Sequence, residues 1–158
     1  MNPMTKIHKK GFTLIELIIS VVLLGVTIPL ITTAIIEGVR RNVDITINTQ
    51  ETLLGQSLFE EIRSRRFDEV VTPPWSNLLG PDGGETRSTF DDIDDYHGLS
   101  ESIAGWSGYT RTASIRYVPP GDWNGTSISP TSYKRISVTV QSTTGLPMTL
   151  VGLMTGRQ

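Results

Sequence analysis

The feature that most constrains this 158-residue chain is one apolar run near its N-terminus. Between Phe12 and Ile36, 17 of 25 residues are hydrophobic, against 37% for the whole chain. Taken from Leu17 to Ile36 the run gives about 30 Å of helix, enough to cross the hydrocarbon core of a bilayer. It is too long for the roughly 7 to 15 residues of a secretory h-region, and no A-x-A-like cleavage site follows it. Lys6, Lys9 and Lys10 precede the run with no acidic residue among them. The positive-inside tendency keeps these lysines cytoplasmic and places everything after Ile36 outside. The plain expectation is a single-pass anchor with an external domain.

Glu16 sits five residues into the apolar run. An acidic side chain costs roughly 2.5 to 3.5 kcal/mol at the centre of a membrane helix, and less where it reaches the interface. Glu16 therefore reads either as an interfacial residue or as a charge kept for function.

Its surroundings favour function. The stretch Lys9-Lys10-Gly11-Phe12-Thr13-Leu14-Ile15-Glu16-Leu17 resembles the processing site of type IV prepilins and the related pseudopilins. Several independent features carry the resemblance: a basic leader, Gly before the cut, Phe after it, Glu five residues into the mature chain, and a long apolar helix. It covers residues 6 to 36. It implies cleavage between Gly11 and Phe12 by a prepilin peptidase, N-methylation of Phe12 by the same enzyme, and a periplasmic head. It also implies assembly with other pilins or pseudopilins by inner-membrane pilus machinery, with membrane lipid as the surrounding before assembly.

These residue types suit that chemistry. Glycine has no Cβ to clash, so the backbone at Gly11 can lie deep in a protease cleft. Cleavage leaves an α-amine with a reference pKa of about 7.7 to 8.0, mostly cationic at neutral pH. A cation and a carboxylate are each costly in an apolar medium, and removing one strands the other. Glu16 of one subunit facing the Phe12 amine of the next would neutralise both and set an axial register. Gly25 and Pro29 are expected to interrupt the apolar helix, because proline removes an i to i−4 hydrogen bond. Family members often carry a Gly and a Pro in this part of the stem.

From Glu37 to Arg66 the chain stays helix-compatible. Val39, Val43, Ile47, Leu54, Leu58 and Ile62 fall on one face at spacings of four and seven. The later part of this stripe suits packing on a sheet, the earlier part contact with neighbouring stems. Glu60 and Glu61 can pair with Arg63 or Arg65, and the arginine cluster complements the helix dipole. The segments Gln56 to Glu69 and Phe90 to Leu99 resemble stretches of minor pilins, nearest to the D-type minor pilins of the mannose-sensitive haemagglutinin pilus.

Val71 to Thr89 is rich in Pro and Gly and reads as loop. Asp91, Asp92, Asp94 and Asp95 follow, four aspartates within five residues. They form either a solvated acidic turn or helix start, or half of a calcium site, since Ca2+ takes six to eight oxygen ligands. The spacing is not that of an EF-hand. Beyond them polarity alternates. Tyr109 to Val118 sets Tyr109, Arg111, Ala113, Ile115 and Tyr117 on one side, Lys134 to Gln141 alternates Ile136, Val138 and Val140 with polar residues, and Pro147 to Met154 can return. The fold class expected is α+β, a long N-terminal helix on a small antiparallel sheet of three or slightly more strands, as in type IV pilins.

The chain thus divides into a leader (1–11), a membrane and filament-core helix (12–36), an amphipathic half-helix (37–69) and a head (70–158). The absence of cysteine excludes a disulfide scaffold, thiolate metal sites and a catalytic Cys, and weighs against major pilins that close a C-terminal loop with a disulfide. A net charge of -2 argues against nucleic acid as a partner. His8 lies in the leader, leaving His97 as the one histidine of the mature chain. No catalytic constellation stands out, and no cofactor is expected apart from the possible calcium. The expectation is a non-enzymatic minor type IV pilin. The alternatives are a type II secretion pseudopilin, or a filament-borne adhesin or DNA-binding tip using Trp75, Trp106 and Trp123.

Overall fold

The computed structural model describes residues 11–156. Lys6, Lys9, Lys10 and His8 of the leader, and Arg157, lie outside the described residues. The chain forms two compact units, one ending at Val43 and one running from Asp44 to the C-terminus.

The first unit is helical. Helix α1 spans Leu14–Arg63, with its portion up to Val43 in this unit. It is long and apolar enough to cross a membrane, and its most apolar window is wholly exposed in the isolated chain. Such a surface needs lipid or neighbouring subunits to cover it. Ser20, Thr27 and Thr32 turn their hydroxyls back onto the carbonyls of Glu16, Leu23 and Ile28, so each satisfies its own polar group within the apolar stretch. The interruption expected at Gly25 and Pro29 is not present in the isolated chain, because α1 runs through both. Pro29 deletes one hydrogen bond, and the carbonyl it leaves bare belongs to Gly25, four residues earlier. Gly25 has open space around it, so that carbonyl can tilt without a break in the helix.

The second unit combines the end of α1 with a four-stranded antiparallel sheet. The strands are β1 (Ser100–Ser102), β2 (Tyr109–Tyr117), β3 (Tyr133–Ser142) and β4 (Met148–Thr155), in the order β1-β2-β3-β4. The α+β arrangement expected from the sequence is the one observed. The three main strands lie within one residue of their expected bounds, and β1 is an additional short edge. Alternation set the register: Ile115 lies opposite Ile136, and Val138 opposite Leu150. Ala113, Ile115, Ile136 and Val138 point inward against Leu58 and Ile62 of α1, with Phe90, Ile93 and Tyr96 closing one side. Gly55 lets the helix approach the sheet. A Cβ there would lie 3.2 Å from Leu150 and Met148 and 3.3 Å from Val140.

The later part of the apolar stripe of α1 packs on the sheet, as expected. Leu54, Leu58 and Ile62 are buried, whereas Val39 and Val43 are exposed. The helix ends at Arg63, earlier than the helix-compatible stretch to Arg66, because the Arg66 backbone leaves to bridge Asp92. Between α1 and β1 the chain makes turns, with a cis Pro73–Pro74 bond, and then a short 3-10 helix at Asp94–Tyr96.

Candidate functional site

The Gly11-Phe12 pair, where the sequence leads one to expect a cut, lies ahead of the helix. Gly11 and Phe12 are exposed and precede the first helical residue, so the bond between them is not tied into the backbone ladder of α1. Thr13 is the N-cap: its Oγ1 accepts the Glu16 amide at 3.4 Å, and its carbonyl accepts the Leu17 amide at 3.2 Å. Thr13 and Glu16 hold the capping-box spacing, a signal present in the sequence and not used in reading it. The cap fixes where the helix starts, at Leu14, two residues after Phe12, the residue that cleavage would make N-terminal. Glu16 is then the third helical residue, on the first turn, where the helix dipole favours a negative charge.

Residues 6–28 match the family model of the prokaryotic N-terminal methylation motif. The match bears out the prepilin-like reading of the N-terminus. Together with the α+β head it is consistent with a type IV prepilin-like protein, a pilin or pseudopilin. A motif of this kind implies processing by prepilin peptidase and assembly with other pilins, and the apolar helix is long enough to anchor a chain in a membrane. The match includes none of the two later segments on which the likeness to D-type minor pilins rests. No curated protein and no solved structure matches the chain.

In the head, the aspartate segment opens the short 3-10 helix Asp94–Tyr96, the helix start expected as one alternative, but it is buried where solvation was expected. Asp92, Asp94 and Asp95 are buried. Two of them serve the backbone: Asp92 Oδ1 accepts the amides of Asp94 (2.7 Å) and Asp95 (3.3 Å), and Asp95 Oδ2 accepts those of Asp91 (2.9 Å) and Asp92 (3.2 Å). Short aspartate side chains bond readily to nearby amides, which is how four of them fit one tight turn. Side-chain cations supply the neutralising charge. Arg66 pairs with Asp91 at 2.5 Å, and Lys134 Nζ lies 2.6 Å from Asp94 Oδ2. Glu69, Glu85 and Asp91 each bring a carboxylate oxygen within 4.8 Å of the other two, and share only Asp91 with the expected calcium set Asp91, Asp92, Asp94 and Asp95.

A second ionic cluster joins the helix to the sheet. Arg87 binds Glu61 through both terminal nitrogens, at 2.7 and 2.9 Å, and reaches Glu101 at 3.0 Å. Glu101 also accepts Arg111 Nε at 2.6 Å, and the Tyr96 hydroxyl donates to Glu61 at 2.7 Å. The Arg87 hydrogen bonds hold the Glu61 carboxyl below its ordinary 4.5 against the opposing effect of burial. The pairing of Glu61 with Arg65 expected from helical spacing gives way to this longer-range contact, and Arg65 turns to the Tyr96 hydroxyl. Glu60 keeps its expected neighbour Arg63 at 3.5 Å.

The remaining candidates resolve individually. Trp75 is buried against Phe67, edge to face, whereas Trp106 and Trp123 are partly exposed and packed on Tyr109 and Tyr133. His97 Nδ1 accepts the Ile115 amide at 3.2 Å, and burial, with Arg116 nearby, lowers its pKa. Sequence reasoning missed Glu51, which is wholly buried on the apolar stripe and accepts the Ser142 amide at 2.9 Å. It also missed Lys134, although Lys134 has the same parity as inward-facing Ile136, Val138 and Val140.

Proposed function

We propose that this chain is a minor type IV pilin, a non-enzymatic subunit that enters or primes a pilus filament after prepilin peptidase cuts between Gly11 and Phe12. The observation that carries the reading is Glu16, a carboxylate on the first turn of an exposed apolar helix, directly after a basic leader and the Gly11-Phe12 pair. Before assembly the helix lies in the inner membrane with the leader cytoplasmic and the head periplasmic. After cleavage, N-methylated Phe12 presents an amine that Glu16 of a neighbouring subunit neutralises in the apolar filament core. The turn containing Gly25 and Pro29, already short of one hydrogen bond, is where the helix would loosen on packing among other stems. The head, with its sheet and ionic clusters, faces outward and meets sibling subunits.

The test is expression of the full chain with a prepilin peptidase and sibling pilins, followed by N-terminal mass analysis and recovery of sheared filaments. The expected result is a chain beginning at N-methylated Phe12 and present in filaments. Gly11→Val should remain uncut. Glu16→Ala should be cut and yet absent from filaments, and normal incorporation of that variant would refute the role given to Glu16. Co-purification with secretion-system siblings instead of pilus subunits would make the chain a pseudopilin.

A further inference from the structure

Lys134 opens the inward face of β3, and its amine ends inside the head. Nζ lies 2.6 Å from Asp94 Oδ2, 2.9 Å from Asp68 Oδ2 and 2.7 Å from the Phe67 carbonyl oxygen. The side chains of Lys134 and Asp68 are 0% exposed and that of Asp94 is 6% exposed. The rings of Phe67 and Tyr117 flank the amine, with centroids 4.4 and 4.8 Å from Nζ. An amine is thus held against one carboxyl group, with a second carboxylate touching the same nitrogen, in a site shielded from water.

We infer that Lys134 and Asp94 condense into an intramolecular isopeptide bond, Nζ to Cγ, with Asp68 carrying the proton and water as the one by-product. The step balances without an oxidant or a co-reactant. The Lys134 ammonium gives a proton to Asp94, and the resulting neutral amine adds to Cγ of the neutral acid. The nitrogen then passes a second proton to Asp68, which delivers it to the departing Asp94 hydroxyl. The C–O bond breaks, water leaves, and one hydrogen stays on the amide nitrogen. Asp68 ends as it began, a carboxylate.

The two aspartates are suited to different parts. Asp68 accepts the Ser76 amide on both oxygens, at 3.2 Å each, and the Val70 amide on Oδ1 at 3.1 Å. The Tyr117 hydroxyl stands 2.9 Å from its Oδ2. Burial works against the Asp68 charge, but Lys134 and these donors outweigh it and hold the pKa below 3.8, so Asp68 stays anionic and acts as the base. Asp94 is in the opposite position. Its Oδ1 is buried with no hydrogen-bond partner among the described residues, and burial pushes its pKa up to about 7 in spite of Lys134. Asp94 therefore reaches the neutral acid, the form an amine can attack. Holding amine and acid in contact replaces a bimolecular encounter, an advantage worth an effective molarity of about 10^5 M or more in well-oriented systems. Exclusion of water suppresses the reverse hydrolysis. The product ties the acidic turn to β3 across 40 residues of sequence.

The experiment is the intact mass of the folded, purified full chain under denaturing conditions, followed by a tryptic map. The expected mass is one water below that of the processed chain. The map should contain a branched peptide joining Asp94 to Lys134, with no cleavage after Lys134. Asp68→Asn should keep the full mass and give a linear Lys134 peptide, and bond formation in that variant at the wild-type rate would overturn the role of Asp68. A full-mass wild-type chain overturns the bond itself. So does a water loss that leaves the Lys134 peptide linear, which would place the dehydration elsewhere. The wild-type map decides even if the Asp68 variant does not fold.

Discussion

Leu58→Ala, set beside Val43→Ala, tests whether one apolar stripe on α1 serves two different partners. Leu58 is wholly buried between the helix and the sheet, among Ile62, Ile115, Ile136 and Val138. Truncating a buried leucine removes its transfer energy and leaves a cavity, together about 2.7 to 5.0 kcal/mol. Small domains are stable by only about 5 to 15 kcal/mol, so about a fifth or more of the stability of the head would go. With a urea slope of about 1 to 3 kcal/mol/M, the unfolding midpoint should fall by roughly 1 to 5 M. Val43 lies on the same stripe but is 52% exposed, so its truncation should change stability by no more than about 0.5 kcal/mol. Urea titration of the detergent-solubilised full chain, followed through buried Trp75 beside Phe67, reads both. Equal shifts for the two variants, or an unmoved midpoint for Leu58→Ala, would refute the division of the stripe.

Two further predictions concern the head. Arg87→Gln should flatten the acid limb of the stability curve. Glu61 titrates below its ordinary 4.5 in the folded state, so its stabilising effect is present above that value and is lost as pH falls through the folded pKa; melting temperature against pH, with and without Arg87, checks it. Gly152→Ala should destabilise by about 1 to 3 kcal/mol, because the new Cβ would stand 2.3 Å from Phe59 Cζ, and a Phe59→Leu background should recover most of that loss in a double-mutant cycle.

The parts legible in the sequence are those written in local period or local chemistry. The apolar run from Phe12 to Ile36, the Gly11-Phe12 pair and the carboxylate of Glu16 need no distant residue to be recognised, and residues 6–28 carry the matching motif. The strands were legible for the same reason: side chains of successive strand residues point to opposite faces, so Ile136, Val138 and Val140 announced an inward face that β3 has. Even Lys134 stood in that phase, and parity alone could have flagged it as buried.

Period gives the direction of a side chain and says nothing of its partner, which is why the charges were misassigned. Helical spacing offered Arg65 to Glu61, but the fold brings Arg87 from 26 residues away, with a two-point grip that Arg65 does not make. Four neighbouring aspartates suggested a solvated turn, a helix start or calcium; the structure starts a short 3-10 helix at Asp94 and turns aspartate oxygens onto backbone amides, Arg66 and Lys134. Lys134 and Asp68 are 66 residues apart and wholly buried together. The sequence by itself determined the long apolar helix, the N-terminal methylation motif and the alternating strands, because each rests on interactions within a few residues. Only the tertiary structure decided which charge meets which, because in a low-dielectric interior every buried charge must find a partner, and partners come from whatever segments the packing brings together.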